Sequence, residues 1–129
     1  MFGAVQDKAA LDANRSARHH RIIGGVGICV FDSEQSEFDA TVDGAGGLII
    51  VWKDVETTDA HIYAQRLSFD GVPLWPANGV PVCTAAGTQL GLQGVSDGAG
   101  GAILVWEDLR GDAGAGRSVY AQRLDPDGS

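Results

Sequence analysis

The sequence predicts an all-β fold made of two repeats of one four-stranded antiparallel unit, and three observations predict it. The segment "DGAGGLIIVWKD", Asp43 to Asp54, returns 54 positions later as "DGAGGAILVWED", Asp97 to Asp108, with nine of twelve residues identical. The pentapeptide "YAQRL" occurs twice unchanged, at Tyr63–Leu67 and Tyr120–Leu124. Glycine stands at 19 of 129 residues and proline at only 4, a composition of short elements joined by tight turns rather than of collagen-like chain.

The elements follow in chain order. Residues 1–20 lie outside the repeat, and "DKAALDANRSAR" has weak helical character suited to a tail or docking segment. Repeat 1 takes residues 21–78. It opens with "RIIGGVGICV", Arg21–Val30, which aligns with "WPANGVPVCT", Trp75–Thr84, and places Cys29 over Cys83. The first strand, Phe38–Asp43, runs into "GAGG", a hairpin-length turn rich in residues that tolerate positive φ. Next comes "LIIVW", an unbroken apolar run of the kind found in strands covered on both faces. The third strand is "HIYAQRL", β-branched and aromatic with polar residues interspersed. The Asp70–Gly71 pair then turns the chain through "VPLW" towards "GVPVC".

Repeat 2, residues 79–129, follows the same order with Leu92–Asp97, "AILVW" and "SVYAQRL", but has no last strand of its own. The offset grows from 54 to 57 between the WxD and YAQRL segments, so three residues are inserted there. "GDAGAG", Gly111–Gly116, is the expected place. If Asp54 faces Ile62 across the central hairpin, Trp52 faces Ala64 and Ile50 faces Arg66. In repeat 2, Trp106 then faces Ala121 and Leu104 faces Arg123, setting a large indole beside a methyl.

Four short antiparallel strands per unit, with doubly buried inner strands, describe a β-propeller-type blade. A β-solenoid and a two-sheet sandwich built from both repeats are the alternatives. The segments "VSDGAGGAILVWED", "VYAQRLDPDG" and "LWPANGVPVCTA" resemble the units of bacterial β-propeller-like tandem repeat proteins, which carry many DGxGGxxxxWxD…YAQRLxxDGxxLW copies. The resemblance spans about residues 22–129. It implies a propeller-like fold and a surface or secreted setting, and it brings no uniform activity.

Propellers use four to eight blades, and two blades leave open faces of Trp, Ile, Leu and Val that water does not favour. The expected solution is self-association, with the strand-like Arg21–Val30 segment donated head to tail to a neighbour. Such an interface closes into a ring or runs on as a filament; three chains make six blades and four make eight.

Charge and motifs narrow the function classes. Net charge is -8, distributed as +2 over residues 1–21 and -10 over the remainder. An acidic body repels phosphate backbones, which argues against nucleic acid as a partner. There is no apolar run of membrane-span length and no secretory h-region. G-x-S-x-G, P-loop, CxxC and HExxH motifs are all missing. His19 and His20 have no carboxylate or cysteine at ligand spacing. No metal or other cofactor is called for, and no catalytic set can be assembled, because repeated residues supply symmetry where catalysis needs an asymmetric acid, base and nucleophile.

The candidate binding residues are Trp52, Trp75 and Trp106, with Gln65, Gln122, Arg66 and Arg123. As sugar platforms and inter-blade pocket polar groups, they would make the protein a glycan-binding lectin. As core and tie residues, they would serve a structural, non-enzymatic role outside the cell. The second reading is preferred, with Asp54 and Asp108 as partners for the two arginines. Asp43 and Asp97 are read as turn stabilisers rather than cation ligands, since "DGAGG" offers one carboxylate where a calcium loop needs several. Cys29 and Cys83 are read as small buried hydrophobes too far apart to bridge.

Overall fold

The computed structural model describes residues 25–30, 32–56, 59–110 and 116–129. The segment 1–20, with its helical reading, and most of the "GDAGAG" insertion lie outside these. The described residues contain seven strands and no helix: β1 Glu34–Val42, β2 Leu48–Glu56, β3 Asp59–Leu67, β4 Val80–Cys83, β5 Gln89–Ser96, β6 Ala102–Asp108 and β7 Ser118–Leu124. They form two antiparallel sheets, ordered β1-β2-β3-β4 and β5-β6-β7. The first strand of each repeat starts earlier than "FDATVD" and "LQGVSD" suggest, at Glu34 and Gln89. In contrast, "VPLW" adds only an isolated bridge between Leu67 and Pro73.

The sequence boundary at residue 79 is not the sheet boundary. The strand Val80–Cys83 closes the first sheet by pairing with β3, so its residues begin one repeat and finish the other's sheet. Gly25–Val30, the described part of the expected donor segment Arg21–Val30, is in no strand within the single chain.

Each opening strand carries a bulge at the same place. Register shifts between Ser36 and Asp39 in β1, and between Leu90 and Gln93 in β5. Gly91 occupies the left-handed region at the second bulge with φ 64°, and Glu37 does so at the first with φ 46°. A β-carbon makes that conformation costly. Glu37 is held there by its carboxylate, 2.9 Å from Lys53 Nζ.

The central hairpins are offset by one residue from the expected register. Asp54 lies opposite His61, Trp52 opposite Tyr63 and Val51 opposite Ala64; Trp106 lies opposite Tyr120, Leu104 opposite Gln122 and Val105 opposite Ala121. Each indole therefore stacks on a tyrosine ring, with centroids 6.3 Å apart in both sheets and interplanar angles of 18° and 16°. The area shared by two offset-stacked rings outweighs the volume match of indole and methyl.

The two sheets pack face to face, and they pack with unlike faces. Ile49, Val51, Ile62 and Ala64 project from the first sheet; Ala102, Leu104, Trp106 and Leu124 belong to the same buried cluster from the second. Gly94 sits at the contact, where a β-carbon would press on the Leu104 side chain at 3.0 Å and reach Val51 at an ordinary 3.9 Å. Polar links cross the same seam: the Gly94 amide donates to Asp39 (2.9 Å), and Lys53 Nζ donates to the Gln89 carbonyl (3.3 Å). Fully burying each such aliphatic side chain contributes roughly 1.5–3 kcal/mol.

Candidate functional site

The duplicated chemistry centres on the "DGAGG" turns. Asp43 is buried, and its Oδ1 accepts hydrogen bonds from the Ala45 and Gly47 amides, both at 2.8 Å. Its Oδ2 lies 3.0 Å from Arg66 Nε. Asp97 repeats the arrangement with the Ala99 and Gly101 amides at 2.7 and 2.9 Å, and with Arg123 at 3.2 Å. These are Asx-type turns locked by an arginine from the "YAQRL" strand. Gly47 and Gly101 have no alternative residue, because a β-carbon at either would come within 2.1 Å of the Leu67 or Leu124 carbonyl oxygen.

Electrostatics follow the contacts. Burial, the largest influence on Asp43, pushes its carboxyl up, but the two amides and Arg66 together hold it below the ordinary carboxylate value. At Asp97 the Ala99 amide leads, joined by Gly101 and Arg123 against burial, and the net direction is also down.

The arginines therefore do not pair with Asp54 and Asp108 as expected. Asp108 is held instead by Arg110, with Nη2 to Oδ2 at 2.7 Å, and by the Trp106 indole N–H at 2.9 Å. The Arg110 contact, with help from Trp106 and against burial, lowers the Asp108 carboxyl to about 2. The Arg110 guanidinium also lies over the Tyr120 ring, 3.9 Å from its centroid. The first sheet has no equivalent, because position 56 is glutamate; Trp52 Nε1 and Asp54 Oδ1 are buried there without a hydrogen-bond partner. Arg110 lies outside both copies of the repeated motif, so alignment of the repeats gave no sign of it.

The remaining predicted residues divide between the repeats. Gln65 is fully buried and clamps the connection to β4. Its Nε2 donates to the Trp75 and Pro76 carbonyls (3.3 and 2.8 Å), and its Oε1 accepts from the Trp75 amide (2.9 Å). Gln122, its counterpart, is exposed and, among the described residues, donates to the Arg123 carbonyl. Trp52, Trp75 and Trp106 are 4%, 6% and 5% exposed, so none offers an open ring face. Trp75 and Arg66 together grip the second repeat: the indole Nε1 and Arg66 Nη1 both donate to the Pro126 carbonyl, at 3.0 and 2.9 Å. Arg123, which matches Arg66, is 60% exposed.

Cys83 is buried and Cys29 half-buried, so only the first fully meets the expectation of a buried hydrophobe; neither forms a disulfide. The described residues hold no group of three His, Cys, Asp or Glu side chains arranged for a metal, and no helix long and apolar enough to cross a membrane.

What the two repeats do not share is cover. Ile49 and Ile62 are fully buried at the seam, whereas their counterparts Ile103 and Val119 are 38% and 77% exposed. The reverse holds on the other face: Ala102 and Leu104 are fully buried, while their counterparts Leu48 and Ile50 are 39% exposed and half-buried. The pair of sheets thus ends in one open face of each kind. Comparison with protein-family models, curated proteins and solved structures finds no match to this chain.

Proposed function

We propose that the chain is a non-catalytic structural module in which each sheet is a β-propeller-type blade. Its blades continue head to tail between copies into a homo-oligomeric ring or filament. The observation that carries this reading is the pair of open faces. The face of the second sheet holding Ile103, Val95 and Val119 matches the one that the first sheet buries within the chain. The face of the first sheet holding Leu48, Ile50 and Val42 matches the one that the second sheet buries. Surface of the two kinds that meet within the chain is left partly exposed at its two ends, and contiguous apolar surface of that kind marks association sites. Because the two faces differ, the contact is heterologous and self-propagating. The extracellular setting rests on the resemblance of the repeats to bacterial surface and secreted proteins. A glycan-binding role gains nothing from the three indoles, which are spent on packing.

Light scattering coupled to size exclusion tests the reading. Masses at multiples of the 13.4 kDa chain are expected, six blades requiring three copies and eight requiring four. A folded monomer persisting at high concentration overturns it.

A further inference from the structure

We infer that the open edge of β7 is completed by Gly25–Val30 of a second copy, added as an antiparallel strand with Val119 opposite Cys29, Tyr120 opposite Gly27 and Ala121 opposite Val26. The inference rests on the head-to-tail reading and names its seam.

The first sheet supplies the template. Its third strand, β3, is paired on both edges, by β2 and by β4. Its counterpart β7 is paired only by β6 among the described residues, and every β7 residue before Leu124 is exposed. Unpaired edges of this kind are templates for strand addition. Within the chain, β4 serves two purposes: it pairs laterally with β3, and it packs against the second sheet. The packing places Cys83 Sγ 3.4 Å from Arg110, the residue bound to Asp108.

Gly25–Val30 already holds the second of those positions. Cys29 Sγ lies 3.8 Å from Asp54 Oδ2, and Cys29 and Asp54 match Cys83 and Asp108 at the same offset of 54. The Val30 amide is fixed to Asn78 Oδ1 at 3.0 Å. This segment therefore lies against the first sheet as β4 lies against the second, but unlike β4 it belongs to no strand. Its own β7 cannot be that partner. The second sheet packs on the Ile49 and Val51 face of the first, so the first sheet stands between them. A β7 from another copy, arriving through the open faces, meets the segment side by side.

The register follows from the observed pairs Ile62 with Cys83, Tyr63 with Pro81 and Ala64 with Val80. Moving the β3 residues forward by 57 and the β4 residues back by 54 gives the pairs proposed. Strand addition supplies backbone hydrogen bonds that face stacking alone does not, and it covers Val119, the most exposed apolar residue of β7.

Disulfide trapping in the full chain tests the pairing. Val119→Cys sits on an exposed side chain, and directly opposed strand residues lie within the roughly 4.4–6.8 Å Cα spacing a disulfide accepts. Oxidation with diamide is expected to give a ladder of linked chains on a non-reducing gel. Peptide mass spectrometry should join position 119 to Cys29, with loss of the ladder on Cys29→Ser and its retention on Cys83→Ser. If the variant assembles by light scattering but links position 119 to itself or not at all, strand addition is wrong and the head-to-tail reading stands. If it stays a folded monomer and no ladder forms, both fall.

Discussion

Asp43 and Asp97 hold the same turn with the same contacts, yet their arginines differ in exposure, 15% for Arg66 against 60% for Arg123. Screening weakens an exposed pair towards nothing, whereas removing one partner of a buried pair leaves the other uncompensated. Asp43→Ala is therefore expected to cost about 2–3 kcal/mol and Asp97→Ala less, most of the latter loss coming from the two turn amides. Urea denaturation measures both, and equal losses would mean that the arginine contributes nothing. Asp108 contributes to stability against acid. Its folded-state value of about 2 lies below the ordinary 3.8, so its stabilisation is complete above roughly pH 4 and is lost as pH falls through about 2. With Arg110 one-third exposed, the discounted contribution is on the order of 1–2 kcal/mol. Asp108→Asn should flatten the fall in thermal midpoint between pH 4 and 2 while lowering the midpoint at pH 7.

At the level of elements, the sequence announced the strands well and their pairing poorly. Repetition of "DGAGG…VWxD" and "YAQRL" located six of the seven strands, because each copy corroborates the other. The register escaped by one residue because a hairpin's register depends on its connection, and the Trp–Ala volume match used to choose it had a competitor. Trp opposite Tyr places two rings in contact, and neither apolar content nor strand propensity distinguishes the two choices. The arginine partners were misassigned because opposite charge alone chose them: Arg66 lies opposite Ile49, beside the turn that Asp43 begins, whereas Asp54 stands near the other end of β2. Reading β4 as the start of repeat 2 was a matter of phase. Its sequence matches Gly25–Val30, but its hydrogen bonds belong to the preceding sheet. The offset between sequence unit and sheet leaves β7 paired on one edge among the described residues, in keeping with the absence of a last strand from repeat 2 in the alignment of the repeats.

For the whole molecule, the decisive property is that its two open faces are different. An isologous dimer would bury the same patch on both subunits, and blocking that patch would end association beyond rescue. The proposed head-to-tail contact would instead join the Val119 face of one copy to the Leu48 face of the next, so the two ends would be blocked independently. Val119→Asp disables one end and leaves the other intact, and Leu48→Asp does the converse. A carboxylate buried without a partner at either face costs several kcal/mol, enough to remove assembly at micromolar concentration. Both residues are exposed in the single chain, at 77% and 39%, so folding is expected to survive either change. Each variant alone should sediment as a monomer. Mixed in equal amounts, they should give a dimer and nothing larger, because a single competent seam remains, between the Val119 face of the Leu48→Asp chain and the Leu48 face of the Val119→Asp chain. Analytical ultracentrifugation of the mixture reads the outcome. Two monomers that fail to complement would exclude the head-to-tail contact, and growth beyond a dimer would show that these residues are not at the seam.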